Sequence, residues 1–140
     1  MGGLTPGPAK GVEENLKTVE AHFHSEASED VDRALELYTD DILWEAHGDP
    51  KLGSHRGKPA VAARYRSIWA CMKDVEFRNL SRFGLGDKVV DESILTCRIA
   101  KEGLVPVPPG TRVRFHLLHV FDLRAGRISR ELVCLDWARV

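Results

Sequence analysis

The stretch VRFHLLHVFDLRAGRISRELVCLDW, residues 113–137, decides the fold. Apolar and polar side chains alternate on both sides of a central RAGR segment, which predicts two antiparallel strands joined by a turn. If Asp122 lies opposite Ile128 across a five-residue loop, then His119 lies opposite Glu131. This register places an imidazole and a carboxylate side by side on an otherwise apolar face, where each needs a partner.

The same register divides the side chains of the two strands between an inner and an outer face. The inner face carries Phe115, Leu117, His119, Phe121, Glu131, Val133, Leu135 and Trp137. The outer face mixes charged residues with Leu118, Val120, Leu132 and Cys134. A face that is half apolar and half charged is typical of a protein contact, so we expect a homodimer packed through the sheet. A slip of one residue would move Glu131 to the outer face.

The rest of the chain predicts helices first and strands afterwards. Apolar spacing predicts helices over 11–24 and about 31–38, and Lys58-Pro59 opens a third helix. Between them we expect a turn at 39–41, a short strand at 42–46 and a Gly/Pro-rich loop at 47–57. The remaining predicted strands cover 75–83, 88–99, 113–121 and 128–138.

This order predicts an α+β domain in which a curved antiparallel sheet wraps around three N-terminal helices and leaves a conical pocket. We expect one domain over residues 11–140, preceded by a flexible Gly/Pro-rich leader at residues 1–10.

Composition excludes several classes of function. The 140 residues contain 20 Lys and Arg against 21 Asp and Glu, and the arginines are dispersed, so we expect no nucleic-acid surface. No apolar run reaches the length of a membrane helix, so we expect no membrane partner. The three cysteines are widely spaced, which suits a reduced, cytoplasmic protein. No nucleophile elbow or phosphate loop is present, so we expect no cofactor.

One polar cluster raises the question of a metal. Glu45, His47, Asp49 and His55 lie in and just before the loop at 47–57. Carboxylates and imidazoles bind divalent ions, but this spacing fits no metal motif. A Gly/Pro-rich loop with polar side chains is more often solvated, and we expect no metal.

Three further stretches carry a family resemblance: LELYTDDILWE at 35–45, RGKPAV at 56–61 and FDLRAGRI at 121–128. Together with the element order they resemble the NTF2-like superfamily, in its SnoaL-like branch. The resemblance implies a cone-shaped α+β barrel with a deep apolar pocket, often in a homodimer. Members include ketosteroid isomerases, polyketide cyclases, dehydratases and epoxide hydrolases, so the fold by itself assigns no reaction.

Some functional residues of these relatives are missing. Ala46 follows Glu45 where the resemblance to ketosteroid isomerases would want the base Asp. Their helix-one Tyr would fall near His22 or Phe23, and their neutral acid near Leu117. These departures argue against a steroid isomerase of that type.

Two other branches of the family compare differently. The segment at 71–75 has no His, although dehydratases of this family place one shortly after the third helix. SnoaL-like cyclases use a carboxylate late in the chain, a position that Glu131 or Asp136 would fill.

The pair of His119 and Glu131 is the predicted catalytic centre. The carboxylate would fix the tautomer of His119, which would act as general base. The alternative is a buried cross-strand hydrogen bond that fixes the register.

Tyr65, on the inner face of the third helix, would donate to a developing oxyanion, or would simply be core. The predicted ligand-binding wall consists of Phe23, Trp44, Trp69, Phe115, Leu117 and Trp137.

These expectations combine into two hypotheses about function. The first is a cofactor-free proton-transfer enzyme, an isomerase, dehydratase, cyclase or epoxide hydrolase, acting on a small apolar organic molecule. The second is a non-catalytic module of the same fold that binds a hydrophobic ligand or a partner. A ligand that leaves the protein chemically unchanged would distinguish the second from the first.

Overall fold

The structure, a computed structural model, describes residues 10–48 and 53–140. Three helices are present in this part of the chain: α1 (Lys10–Ala27), α2 (Val31–Glu36) and α3 (Lys58–Ala70). The strands are β1 (Tyr38–His47), β2 (Ser54–Arg56), β3 (Met72–Leu85), β4 (Lys88–Ile99), β5 (Arg112–Arg124) and β6 (Arg127–Arg139). The predicted leader lies outside the described residues apart from Lys10.

The strands form one six-stranded sheet in the order β2-β1-β6-β5-β4-β3. The antiparallel meander predicted for the second half of the chain is confirmed as β3 to β6. β1 adds to it in parallel with β6, so the sheet is mixed rather than wholly antiparallel. It is curved and not closed, with the helices at the N-terminal side of the chain, which confirms the α+β cone.

Both shorter helices have identifiable start signals. The Asp30 side chain accepts a hydrogen bond from the backbone N–H of Arg33 at 3.1 Å and caps α2. α3 has Pro59 in its first turn, as its sequence predicts, because a missing N–H costs nothing there. Tyr65 lies on the buried face of α3 and reaches the inner face of the sheet.

The predicted turn at 39–41 is wrong, because these residues belong to β1. Tyr38 and Thr39 are buried, and the aromatic and β-branched side chains suit a strand. Asp40 and Asp41 follow them in an irregular stretch of the β1–β6 ladder, where the register shifts between Tyr38 and Leu43. The predicted loop at 47–57 likewise contains β2, which pairs with β1.

The turn between β5 and β6 is tighter than predicted. Arg124 lies opposite Arg127, so only Ala125 and Gly126 form the turn, with φ of 52° and 78°. Two successive positive φ values are those of a type I′ hairpin turn, which follows the twist of the strands. A bulge between Asp122 and Leu123 then adds one more residue to the shift.

These two features correct the predicted register by two residues. Glu131 lies opposite Phe121, and His119 lies opposite Val133. The direct cross-strand pairing of His119 with Glu131 is therefore wrong. Because side chains alternate with a period of two, a shift of two residues leaves both groups on the inner face.

The buried core has two parts. The larger lies between the helices and the sheet and includes Phe23, Tyr38, Trp44, Tyr65 and Phe121. The smaller lies where the loop between β4 and β5 folds back, and contains Cys97, Ile99, Val105, Val107, Val113 and Phe115. Residues of both parts line the cavity that holds the candidate site.

Candidate functional site

A cavity of about 340 Å³ lies between the inner face of the sheet and helices α1 and α3. Its walls are mostly apolar. Five of the predicted ligand-binding residues line it, namely Phe23, Trp44, Trp69, Phe115 and Leu117. The predicted catalytic residues His119, Glu131 and Tyr65 line it too, and Glu26 and Glu29 are further polar groups in its wall.

Trp137 is placed differently from its prediction. It lies opposite Phe115 on β6 but is not among the residues that line the cavity. Its side chain packs instead against the smaller core, which includes Val105 and Val107 of the loop between β4 and β5.

Glu131 is the centre of a buried polar network. Its side chain is 2% exposed, and Oε1 accepts a hydrogen bond from the Tyr65 hydroxyl at 2.7 Å. The Tyr38 hydroxyl lies 3.3 Å from the same oxygen, 2.9 Å from the Tyr65 hydroxyl and 3.1 Å from Nδ1 of His22. Side chains from α1, β1, α3 and β6 therefore meet at one carboxylate.

His22 is fully buried between two carboxylates. Its Nε2 lies 3.4 Å from Oε1 of Glu131 and 3.8 Å from Oε1 of Glu26, and has no hydrogen-bond partner among the described residues. Burial lowers the pKa of His22, but the carboxylates of Glu131 and Glu26 raise it by more, so the net pKa is raised.

The pKa of Glu131 is lowered, whereas the pKa values of the other carboxyl and of the phenols around His22 are raised. Burial alone would raise the pKa of Glu131, but attraction to His22 outweighs it and the pKa is lowered. Burial raises the pKa of Glu26, and the charge on Glu131 adds to the rise. Burial followed by the same charge holds the pKa of Tyr38 and of Tyr65 well above the ordinary value. Both phenols therefore stay protonated and can donate.

His119 has its own carboxylate partner, on β4. Asp91 lies opposite His119 in the β4–β5 ladder, with Oδ1 3.4 Å from Nδ1 of His119, a contact without hydrogen-bond geometry. Asp91 is fully buried and accepts hydrogen bonds from Ser93 Oγ at 2.7 Å, Asn79 Nδ2 at 2.7 Å and Arg82 Nε at 2.8 Å. Burial alone would raise the pKa of Asp91, but the contacts with His119, Ser93 and Arg82 lower it.

The His119 ring is fixed on its flanks by aromatic side chains. Phe121 stacks on it with ring centroids 5.7 Å apart, and Phe23 meets it edge-on at 5.2 Å. Arg82 in turn lies over the ring of Phe23, 4.7 Å from its centroid. One carboxylate and two aromatic rings therefore orient the imidazole. His119 also forms part of the cavity wall.

The SnoaL-like domain family matches residues 19–131, which include every polar residue of the site just described. The chain belongs to this family. No curated protein matches its sequence. The SnoaL-like fold is shared with many solved structures at low identity, and three of them illustrate the range.

A SnoaL-like polyketide cyclase, so named, from Jannaschia sp. CCS1 is 21% identical, with a TM-score of 0.82 over 94% of this chain and 91% of that one. An LEH-like epoxide hydrolase from Mycobacterium tuberculosis is 23% identical, with a TM-score of 0.71 over 89% of this chain and 84% of that one. An NTF2-like protein from Burkholderia xenovorans LB400 is 19% identical, with a TM-score of 0.75 over 89% and 91%. These likenesses confirm the fold.

In this SnoaL-like domain, two separate contacts thus replace the predicted pair of His119 and Glu131. His119 and Glu131 line the same cavity, but His119 faces Asp91 and Glu131 faces Tyr65. His22 and Asp91 were missed as site residues. The sequence does contain patterns that could have indicated them. Asn15, Val19, His22 and Glu26 have the spacing of one helix face. Asp91 is two residues from Val89 and two from Ser93, so all three lie on the same face of β4.

The polar residues of the loop at 47–57 have other partners. Glu45 accepts a hydrogen bond from Nε of Arg130 at 2.8 Å, and the His55 ring packs against Trp44 at 5.7 Å. His47 Nε2 lies 3.8 Å from the second oxygen of Glu45. Asp49 lies outside the described residues, so the cluster as a whole is not defined.

None of the helices in the described part of this SnoaL-like chain combines the length and the apolar character needed to cross a bilayer.

Proposed function

We propose that this SnoaL-like domain catalyses proton transfer on a small apolar organic substrate held in the cavity. His119 is the general base, Asp91 orients it, and Tyr65 donates a hydrogen bond to the oxygen on which charge develops. In the structure the single O–H of Tyr65 is donated to Glu131, so this proton turns from Glu131 to the substrate oxygen when the substrate binds. One observation carries the proposal. The imidazole of His119, which faces Asp91, and the phenol of Tyr65, which is bonded to Glu131, both line one apolar cavity.

The two units are close enough to act on one molecule. His119 lies opposite Val133, so Glu131 is its diagonal neighbour across the β5–β6 ladder. Side chains in diagonal positions stand about 7–8 Å apart, which is the span of a few bonded atoms. His119 can therefore take a proton from carbon or from water while Tyr65 contacts an oxygen of the same substrate.

The Asp91 carboxylate favours the tautomer of His119 that carries its proton on Nδ1. The other ring nitrogen is then free to accept a proton from the substrate and later return it. Because Asp91 is itself fixed by hydrogen bonds from three other side chains, the imidazole is preorganised rather than recruited during the reaction.

Tyr65 suits the role of donor because burial keeps it protonated. The Tyr38 hydroxyl lies 2.9 Å from that of Tyr65, and donation from Tyr38 would polarise the Tyr65 O–H further. A donor of this kind stabilises an enolate or an opening epoxide oxygen in a site with little water.

The walls indicate the class of substrate. No described residue that lines the cavity is a lysine or arginine, so nothing there attracts an anionic substrate. Aromatic and aliphatic side chains make most of the surface, and the volume of about 340 Å³ is that of a small ligand site. A neutral, partly unsaturated ketone or epoxide fits both properties, and the polyketide cyclase and epoxide hydrolase among the similar structures support that choice.

Two probes test the proposal without knowledge of the natural substrate. An aryl alkyl ketone in D₂O reports exchange at its α-carbon by NMR, and a terpene-sized epoxide reports diol formation by mass spectrometry. We expect turnover of at least one probe and a loss of about 100-fold or more in His119→Gln. His116→Gln is the matched control, because His116 is exposed on the outer face of the same strand.

The contrary results are equally clear. If His119→Gln keeps the wild-type rate while its circular dichroism is unchanged, His119 is not the base. If both probes bind and are recovered unaltered, the cavity is a binding site without catalysis.

A further inference from the structure

His22 and Glu26 converge on Glu131, and the proposed proton transfer uses neither His22 nor Glu26. Nε2 of His22 and one carboxylate oxygen each of Glu26 and Glu131 all lie within 4.8 Å of one another. The separation of His22 Nε2 from Glu131 Oε1 is 3.4 Å and from Glu26 Oε1 is 3.8 Å. Donors at ~2.1 Å from a tetrahedral ion stand about 3.4 Å apart, so the spacing suits a shared ion.

The surroundings of Nε2 of His22 indicate which kind of group would bind between the two carboxylates. This nitrogen is fully buried and has no hydrogen-bond partner among residues 10–48 and 53–140. A buried polar atom without a partner is costly and calls for an explanation. Because both groups that face it are carboxylates, a cation shared among the three side chains would satisfy this nitrogen and both carboxylates at once.

The charge of the cluster supports the same conclusion. Glu26 and Glu131 both face His22, whereas the nearby cation Arg82 is already bonded to Asp91. A divalent ion bound by two carboxylates and a neutral imidazole would leave the cluster without net charge.

The spacing of these side chains and their outer contacts resemble those of ligands in metal-binding proteins. His22 and Glu26 are four residues apart on α1, so they lie on one helix face, a spacing that zinc-binding helices also use. Nδ1 of His22 lies 3.1 Å from the Tyr38 hydroxyl, and Tyr65 donates to Glu131 at 2.7 Å. Outer contacts of this kind orient ligating side chains.

We propose that His22, Glu26 and Glu131 bind one divalent transition-metal ion. One imidazole and two carboxylates form a nitrogen and oxygen donor set, which suits Zn²⁺, Mn²⁺, Fe²⁺ or Co²⁺ and gives no thiolate for Cu⁺. Since Glu26 and Glu131 also line the cavity, a molecule bound there would be able to reach the ion. This inference departs from the sequence-based expectation of a site without metal.

The experiment uses Co²⁺ as the probe because its visible absorption reports its ligands. Chelator-treated full-length protein is titrated with Co²⁺, and Zn²⁺ is then added as competitor. We expect one ion per chain, visible ligand-field bands without the intense near-ultraviolet band of a thiolate ligand, and displacement by Zn²⁺. Absence of any binding at millimolar Co²⁺, or a spectrum with thiolate ligands, would overturn the proposal.

Glu26→Gln is the decisive variant, because Glu26 is 22% exposed at the cavity wall and its loss should not prevent folding. We expect it to weaken Co²⁺ binding by at least about tenfold, since loss of even an outer-sphere partner costs that much. Glu29→Gln is the matched control, a carboxylate of the same cavity wall outside the cluster. Equal binding by Glu26→Gln and Glu29→Gln would refute the site. Zn²⁺ should also raise the Tm of the wild type but not of Glu26→Gln.

His119→Gln separates this proposal from the proposed function. We expect this variant to bind Co²⁺ as the wild type does, because His119 is not a ligand, while losing turnover of the ketone or epoxide probe. Loss of turnover in a protein that never binds Co²⁺ would overturn the metal site alone. Co²⁺ binding by a wild type that turns over neither probe would overturn only the proton transfer.

Discussion

Asp91 and His119 face each other across the β4–β5 ladder, with the carboxylate oxygen 3.4 Å from Nδ1 of the imidazole. The carboxylate is inaccessible to solvent, and Ser93, Asn79 and Arg82 all donate to it. The orientation of His119 is thus set by a group that is itself fully held. This relationship contributes to stability and, in the proposed function, orients the base, and the two contributions can be measured separately.

Asp91→Asn should lower the free energy of unfolding by about 2–3 kcal/mol, because the buried partners of the carboxylate lose an anionic acceptor. Chemical denaturation measures the change. Asp41→Asn is the control, since Asp41 pairs with Arg124 at the surface, and its effect should be much smaller. Equal losses in the two variants would show that the Asp91 contacts do not stabilise the fold.

The contribution of Asp91 should also depend on pH in a defined direction. Its pKa in the folded protein is below the ordinary value of 3.8, so the folded state favours the ionised form. The stabilisation is therefore present above the unfolded pKa and is lost as pH falls through the lower, folded value. The difference in stability between wild type and Asp91→Asn should be constant near neutrality and shrink below about pH 4. A difference that grows on acidification would contradict this sign.

Filling the cavity should block ligand binding without disturbing the outer surface. Leu117 lines the cavity on β5, so Leu117→Trp should weaken binding of an environment-sensitive apolar dye by at least about tenfold, a loss of ~1.4 kcal/mol. Arg114→Trp adds the same ring to the outer face of the same strand and should leave dye affinity unchanged. Fluorescence titration distinguishes them, and equal weakening in both variants would mean that the dye does not enter the cavity.

Tyr65 and Glu131 should be coupled in stability. The 2.7 Å bond joins a buried phenol to a buried carboxylate, so Tyr65→Phe should cost about 1.5–3 kcal/mol, the usual contribution of a hydrogen bond to a charged group. In a double-mutant cycle with Glu131→Gln, the two losses should not add, because Tyr65→Phe removes the donor and Glu131→Gln removes the charge of the acceptor in the same bond. Strict additivity of the unfolding free energies would contradict a direct bond.

Thiol reactivity should follow burial. Cys97 is fully buried, and burial raises the pKa of its thiol to about 11, so little thiolate is present at neutral pH. Cys134 lies half-buried on the outer face of β6. In timed alkylation with iodoacetamide, peptide mapping should find Cys134 modified first and Cys97 only as the protein unfolds. Labelling in urea should abolish the difference, and early modification of Cys97 would contradict the described packing.

Much of this arrangement could be predicted from the sequence, and the exceptions have physical causes. Alternation in β5 and β6 placed His119 and Glu131 on the inner face, because facing depends only on the period of the strand. Their register was wrong because it depends on the type of turn and on a bulge, which the pattern of apolar residues does not encode.

The partners of these groups were harder to predict for a different reason. Asp91 reaches His119 through a strand pairing whose register is set across the long connection from β4 to β5. His22 meets Glu131 only when α1 is laid on the sheet. A local pattern indicates the face on which a polar side chain lies, whereas its neighbour on another element depends on the whole fold.

The polar network around Glu131 also constrains the order in which the protein can mature. Tyr38 and Glu131 are 93 residues apart, and Tyr65 and Glu131 are 66 apart. During synthesis, the histidine and both phenols leave the ribosome well before their acceptor on the last strand. Until that strand docks, the early segments would have to bury these groups unsatisfied or keep them hydrated. Such long-range contacts predict slow, all-or-none completion of the site, in which a chain lacking β6 has no partly working pocket.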